Sequence, residues 1–220
     1  MITPDEIIRS NRKTISVSVD CFSRVTVRAP KRCSEERIFA FLQQREAWIV
    51  RKKSEMAQAG MRLPPEDLDG YVFTLLGKSC EIRLTDRSSV IYDEQLPRLY
   101  LPRKNARNRL VKWLKENALR IFTKVTETKA KEMCTAYQSV SVSSARTRWG
   151  TCSFDNKIRY SFRLLYTPKE IIEYVVVHEL AHTKHKNHSP SFWNEVRAHM
   201  PDYAQRRKWL KQHGILMRIF

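Results

Sequence analysis

The sequence predicts an α+β fold, with a small α/β region over residues 1–103 and a helix-rich region built around a short sheet over residues 104–220. Three observations predict this class. Several short runs alternate apolar and polar residues with a period of two, which is typical of β-strands. Two long segments carry apolar residues at helical spacing, and a third segment is apolar around most of a helix circumference, which indicates a buried helix.

In the first region, the alternating residues 15–19 and 25–27 flank a turn at residues 20–23 and predict a hairpin. Ser34 is a candidate N-cap for an amphipathic helix over residues 35–57, since Glu35 and Glu36 then occupy the first turn, where the helix dipole favours acids. A loop containing two prolines follows at residues 60–70. Four short strands are then predicted, at residues 71–76, 80–85, 90–92 and 98–101.

The second region begins with a long helix over residues 105–137, whose length leads us to expect a break within residues 123–128. Two strands follow, at residues 139–144 and 158–165, loosely joined by a turn at residues 154–157. The segment Thr167-Pro168-Lys169-Glu170 then has the pattern of a capping box with proline at the first helical position, and it opens the buried helix.

Size, apolar content and cysteine pattern favour a soluble, unexported protein. The 220 residues are enough to bury a core, no apolar run is long enough to cross a bilayer, and residues 1–6 lack the apolar stretch of a secretory signal. The cysteines are scattered and odd in number, without C-x-x-C spacing, so we expect reduced thiols in a cytoplasmic protein. They are Cys21, Cys33, Cys80, Cys134 and Cys152.

The chain is strongly basic, with 41 Lys and Arg against 23 Asp and Glu, a net charge of +18. Such a field would attract polyanions such as nucleic acid, nucleotides or acidic protein segments. A solvated basic surface with no dedicated partner fits the composition equally well.

The buried helix carries the motif H-E-x-x-H, with His178 and His182 one turn apart on one face and Glu179 beside them. Two imidazoles at this spacing can share a cation, and an adjacent carboxylate can act as base on the water of that cation. A core helix with two satisfied histidines is the alternative. This alternative does not explain why a carboxylate and two imidazoles lie among valines, where each polar group costs free energy if it is unpaired.

Geometry selects the third ligand. His185 lies on nearly the same face as His178, but on a straight helix their backbones would be roughly 10 Å apart, too far to converge on one ion. If Lys186-Asn187 ends the helix, His188 can project back from the turn, before Ser189-Pro190 caps the next helix. Glu195 on that next helix is the second choice.

Three protein ligands leave one position for water, which is typical of a catalytic zinc site. Zinc would lower the pKa of this water and polarise the scissile group, and Glu179 would take the proton and pass it to the leaving group. A group that stabilises the developing oxyanion is also expected. Arg148, Tyr160 and Tyr203 are candidates that the sequence does not rank.

The run from Val175 to Trp193 resembles the YgjP-like metallopeptidase domain of the zincin superfamily. The resemblance extends to almost the whole chain, through residues 146–152, 158–159 and 167–168 and, nearer the N-terminus, 12–17, 27–30 and 47–49. It implies a minimal zincin in which the active-site helix packs on the long helix beside a short sheet whose edge could bind an extended peptide. It also implies His178, His182 and His188 as ligands and Glu179 as base. The family is similar in its core to SprT-type proteases, some of which act on proteins attached to DNA.

Four functions remain open at this point. A zinc-dependent peptidase is favoured by the motif, and a metal-dependent hydrolase of a nucleotide or other phosphate-containing substrate would suit the net charge. A nucleic-acid-associated protease is weakened by the lack of a recognisable nucleic-acid-binding motif. A purely structural zinc module would leave Glu179 without a role. The oligomeric state cannot be predicted.

Overall fold

The computed structural model describes residues 2–19, 24–58 and 64–220. The chain divides into two compact units, Met1–Leu63 and Pro64–Phe220. The predicted hairpin turn at residues 20–23 and the first part of the predicted loop, residues 60–63, lie outside the described residues.

The first unit has a three-stranded sheet of β1 (Glu6–Ser10), β2 (Ser16–Val19) and β3 (Val25–Pro30), in the order β1-β3-β2. β2 pairs antiparallel with β3, which confirms the hairpin, whereas β1 pairs parallel with β3. β1 was not predicted, because its sequence Glu-Ile-Ile-Arg-Ser does not alternate. The inward residues of β3 are fully buried, as are those of the helices that cover the sheet.

Two helices follow in this unit, α1 (Glu35–Gln44) and α2 (Glu46–Gln58). Ser34 caps α1 as predicted, its hydroxyl accepting from the amide of Arg37 at 3.4 Å. The prediction of one continuous helix over residues 35–57 is wrong, since the helix breaks at Arg45. The break contains neither glycine nor proline, so no local signal marks it.

The second unit begins with a four-stranded sheet in the order β4-β5-β7-β6, which confirms the four predicted strands. These strands are β4 (Val72–Leu75), β5 (Lys78–Thr85), β6 (Ile91–Asp93) and β7 (Arg98–Pro102). The predicted domain boundary at 103/104 falls within this compact unit, because the sheet packs on later parts of the chain. The amide of Leu76 donates to the carbonyl of Leu165 at 2.7 Å, and the ring of Phe73 packs edge-on against Tyr166. The division into domains 1–103 and 104–220 stays a prediction.

The long helix α3 (Ala106–Glu132) is continuous, so the expected break within residues 123–128 does not occur, and the helix ends earlier than predicted. A buried stripe follows most of its length at every fourth position. Its members are Leu110, Leu114, Ala118, Phe122, Thr126 and Ala130. The one polar member, Thr126, forms a buried hydrogen bond of 3.1 Å between its hydroxyl and the hydroxyl of Tyr160.

Another sheet contains β8 (Ser139–Ser143), β9 (Gly150–Cys152) and β10 (Lys157–Ser161), in the order β8-β10-β9. β8 and β10 pair in parallel, so the predicted turn near residues 154–157 joins β9 to β10 in an antiparallel pair and does not join the two predicted strands. β9 was not predicted. The predicted strand 158–165 ends at Ser161, and the chain continues as the 3₁₀ helix Phe162–Tyr166.

The buried helix is α4 (Lys169–Lys184), and it packs against α3, β9, α5 (Pro190–His199) and α6 (Tyr203–Gln212). The predicted capping box is wrong: Pro168 is the N-cap residue, and the hydroxyl of Thr167 donates to the carbonyl of Leu164 at 2.8 Å. The α+β class and the arrangement of a buried helix on a long helix beside a short sheet are confirmed. In the described part of the chain, no helix is long and apolar enough to span a membrane.

Candidate metal centre

The two histidines of α4 lie where the spacing predicts. Their rings are one turn apart, with centroids 5.0 Å from each other. Most of the helix around them is buried, including Val175, Val176 and Leu180. The burial of α4 on several sides fixes the two rings at the edge of the core.

His188 reaches the same place from the turn after α4. The helix ends at Lys184, and His185, with extended backbone (φ −129°, ψ 103°), sends the chain away from the helix axis. His188 Nε2 then lies 3.1 Å from His178 Nε2. One ring nitrogen from each of His178, His182 and His188 lies within 4.8 Å of the others. The structure therefore brings together the three predicted ligands.

His185 contributes its backbone and not its ring. The His185 carbonyl lies 3.0 Å from His182 Nδ1. A proton on Nδ1 satisfies this contact and leaves the Nε2 lone pair of His182 free to bind a cation. The helix ends at Lys184 with His185 as its C-cap, slightly earlier than the predicted Lys186-Asn187, and Ser189 caps α5 with Pro190 at its first position, as predicted.

The three nitrogens fit a tetrahedral cation such as zinc. Two ligand nitrogens at about 2.05 Å from a zinc ion at the tetrahedral angle are about 3.3 Å apart. The ring nitrogens of His178 and His188 are 3.1 Å apart, and the nitrogens of all three residues lie within 4.8 Å of one another, so little adjustment is required. Burial lowers the pKa of His178 to about 3, and the neighbouring rings of His182 and His188 contribute less to the same shift. Burial also lowers the pKa of His182. Both imidazoles are thus held neutral, in the form that binds metal.

Glu179 is buried next to this group, with 5% of its surface exposed. Burial raises its pKa to about 8. Its carboxylate side faces Gly150 of β9 so closely that a Cβ at Gly150 would lie 2.6 Å from Glu179 Oε1. The absence of a side chain at this point of the strand provides the room for the carboxylate.

Two aromatic residues of α5 support the three imidazoles. The ring of Phe192 lies 4.4 to 4.9 Å from all three, and the ring of Trp193 stacks on His188 at 5.6 Å. Phe192 is fully buried. Sequence reasoning missed this support, although the position of Phe192 in the first turn of α5, three residues after the predicted cap Ser189, was an available signal.

Three other residues that the sequence offered as a ligand or as oxyanion stabilisers make contacts elsewhere. Glu195 does not join the group, because it binds Lys184 at 2.7 Å. Tyr160 is fully buried and bonded to Thr126, so it cannot reach a substrate. Tyr203 stacks on Trp193 at 5.3 Å, and its hydroxyl lies 3.4 Å from an Arg197 nitrogen.

A cleft of about 320 Å³ opens beside His178 and Glu179, and Arg148 lines it. The other lining residues come from β9 and its approach, from α4 and from α6. They are Trp149, Gly150, Tyr174, Val175, Arg207, Leu210 and Lys211. Of the three oxyanion candidates, Arg148 is therefore the one that borders this cleft. No sequence pattern indicates the α6 residues, because only folding brings α6 to this side of α4.

The chain was compared with solved structures, with curated proteins and with family models. Two solved structures of metallopeptidase zymogens show limited similarity to the chain. Pyrococcus abyssi abylysin is 23% identical, with 41% of this chain and 93% of that chain covered and a TM-score of 0.38. Methanocaldococcus jannaschii jannalysin is 18% identical, with 42% and 95% covered and a TM-score of 0.38. A comparison with curated proteins gives no match.

The assignment rests instead on a family model, "YgjP-like, metallopeptidase domain", which matches residues 13–213 and so extends through both compact units. The match covers most of the chain and includes the three histidines and Glu179. The chain belongs to the YgjP-like family of metallopeptidase domains.

Proposed function

We propose that this metallopeptidase holds a zinc ion with His178, His182 and His188 and that Glu179 is its catalytic base. The observation that carries the proposal is the convergence of three imidazole nitrogens within 4.8 Å, next to a buried carboxylate on the same helix. Neutral nitrogen ligands in a set of three are typical of catalytic zinc sites.

A bound zinc ion supplies an acidified water and polarises the scissile carbonyl. Glu179 takes the proton of the attacking water and delivers it to the leaving amine. Burial raises the pKa of Glu179 to about 8, and the positive charge of a bound metal ion would favour the carboxylate form that a base requires. His185 keeps His182 in the required tautomer through its carbonyl.

β9 is suited to hold the peptide substrate. It is an edge strand of its sheet, paired on one side with β10, and Gly150 at its start packs against Glu179. An extended peptide can add to such an edge through main-chain hydrogen bonds, which brings its carbonyls close to the base. Arg148, just before β9, is the residue best placed to stabilise the oxyanion.

Peptide cleavage by the zinc-loaded protein tests the proposal. Glu179→Gln keeps the shape of the side chain but removes the base, so we expect cleavage of a fluorogenic peptide library to fall by a factor of about 10² to 10⁴. Glu170→Gln is the matched control, because Glu170 is an exposed residue of the same helix, and it should leave the rate unchanged. Equal rates for wild type and Glu179→Gln would contradict the role of Glu179.

A cytoplasmic location stays a prediction. It is supported by the absence of disulfides among the described cysteines, Cys33, Cys80, Cys134 and Cys152, while Cys21 lies outside the described residues. Association with nucleic acid, which the net charge of +18 suggests, also stays a prediction. The family match favours a peptide substrate over the phosphate-containing alternative.

A further inference from the structure

The cleft beside Glu179 is lined by three basic side chains from two separate parts of the chain. Arg148 comes from the segment before β9, and Arg207 and Lys211 lie one turn apart on α6. All three are exposed. Glu179 is the one acidic residue that lines the cleft, and it lies at its buried end.

None of the three cations has an ion-pair partner among the residues that the structure describes. The neighbouring Arg206 shows the contrast, since it binds Asp202 at 2.8 Å and Glu173 at 3.8 Å. Arg207 instead lies over the ring of Trp193, with its guanidinium carbon 4.7 Å from the ring centroid. Because Trp193 itself stacks on His188, the positive charge of Arg207 is held next to the metal centre.

Four apolar or aromatic side chains also line the cleft, together with Gly150 and His178. They are Trp149, Tyr174, Val175 and Leu210. A pocket with apolar walls and a few converging charges is typical of a specific ligand site. At about 320 Å³ the cleft has room for one or two side chains. Unpaired cations around such a space attract a carboxylate and repel a lysine or arginine.

We propose that this cleft is a substrate subsite that selects a peptide carboxylate next to the scissile bond. The inference rests on the peptidase function proposed above, and it names the substrate class as acidic peptides. The carboxylate can belong to an aspartate or glutamate side chain or to the free C-terminus of the substrate. Both would accept hydrogen bonds from the guanidinium groups of Arg148 and Arg207.

Matched peptides test the subsite by cleavage. Zinc-loaded protein is given two internally quenched peptide sets, one with Glu and one with Lys around a common scissile sequence, each with a free or an amidated C-terminus. We expect kcat/KM to favour the Glu set by about tenfold, since each exposed charge contact is worth up to about fivefold. A preference for Glu over Lys identifies a side chain as the source of the carboxylate, and a preference for the free over the amidated peptides identifies the C-terminus.

Charge reversal then assigns the preference to the cleft. Arg207→Glu and, separately, Lys211→Glu should each reduce or invert the Glu-to-Lys ratio while the protein stays folded. Lys208→Glu is the control with the same charge change, because Lys208 is exposed on the same helix and does not line the cleft. Equal kcat/KM of wild type for the Glu and Lys sets with both free and amidated C-termini, or an equal effect of Lys208→Glu, would overturn the proposal.

Binding to the Glu179→Gln variant separates this inference from the peptidase function. Fluorescence anisotropy of the labelled Glu and Lys peptides is measured on this variant, with ATP as a competitor. Selective binding of the Glu peptides without any cleavage by wild type supports the subsite and contradicts the peptidase function. Cleavage by wild type without any charge preference supports the peptidase function and contradicts the subsite. Binding of ATP with no binding of the Glu peptides overturns the inference in favour of a phosphate-bearing ligand.

Discussion

Gly150 gives the sharpest prediction, because its missing side chain is what allows Glu179 to lie against β9. A Cβ placed there would be 2.6 Å from Glu179 Oε1, 2.7 Å from Cγ and 2.9 Å from Cδ. A Cβ forms no hydrogen bond and does not approach other atoms this closely, so Gly150→Ala must move either the strand or the carboxylate. The strand is held by its antiparallel pairing with β10, opposite Tyr160. The carboxylate is therefore expected to move.

The size of the movement follows from these distances. Ordinary contact begins at 3.4 Å, so the 2.6 Å contact must open by 0.8 Å. Overpacking a buried site costs about 1–3 kcal/mol of unfolding free energy, and a catalytic group misplaced by about 1 Å costs about 10²-fold in rate. We therefore expect Gly150→Ala to lower kcat by roughly 30- to 100-fold, to destabilise the protein by about 1–3 kcal/mol and to leave bound zinc unchanged.

The assay compares kcat, KM, metal content and denaturant unfolding of this variant with those of Gly214→Ala. Gly214 is the matched control, because a Cβ there meets nothing within 4 Å. If Gly150→Ala keeps wild-type kcat and stability, Glu179 is not held against β9 and the account of its position is refuted. Loss of zinc together with activity would show instead that Gly150 supports the histidines.

Three further predictions concern buried polar groups. Tyr160→Phe should lower the unfolding free energy by about 1–2 kcal/mol, because the Thr126 hydroxyl loses its buried partner. The variant should leave kcat/KM unchanged. A large loss of kcat/KM would indicate that Tyr160 takes part in catalysis. In metal-free protein, the pKa of Glu179 is about 8 when folded and near 4.5 when unfolded, so its contribution to stability is complete below pH 4.5 and is lost as the pH rises through 8. From pH 5 to pH 9, the unfolding free energy of Glu179→Gln should therefore rise by about 4 kcal/mol relative to that of wild type, as measured by chemical unfolding. A difference between the two proteins that does not change with pH would contradict the raised pKa. Arg163→Met should lower the unfolding free energy by about 3 kcal/mol, because the buried guanidinium donates to the carbonyls of Ile219 and Ser144 at 2.9 Å. The control Arg159→Met, at an exposed position, should cost under about 1 kcal/mol. Equal costs for the two variants would be evidence against these hydrogen bonds.

The sequence predicted those parts of the molecule that depend on local spacing. The positions of His178 and His182 on one face follow from helix geometry, and the selection of His188 over His185 follows from the short reach of a metal ligand. The structure confirms that these three side chains converge. Their role as zinc ligands, and that of Glu179 as base, stays a proposal.

The features that were missed depend on contacts between distant residues. The parallel pairing of β8 and β10 cannot be read from two alternating runs, because parallel and antiparallel strands have the same period. β9 is three residues long and begins with a glycine, so it has no strand pattern of its own. Its place beside α4 explains the approach of Gly150 to Glu179, which no periodicity could indicate.

The prediction of a capping box is wrong for a related reason. Thr167 has the right residue type, but the preceding 3₁₀ helix offers the carbonyl of Leu164 to its hydroxyl, and Pro168 takes the N-cap position. The break at Arg45 also lacks a local signal, since the surrounding residues favour helix.

Bound metal per chain tests the central claim most directly. Wild type, His188→Ala and His185→Ala are loaded with zinc, dialysed against buffer and measured by elemental analysis. We expect about one zinc in wild type and in His185→Ala, whose carbonyl contact is retained, and close to none in His188→Ala. No zinc in wild type, or full retention by His188→Ala, would contradict the ligand set.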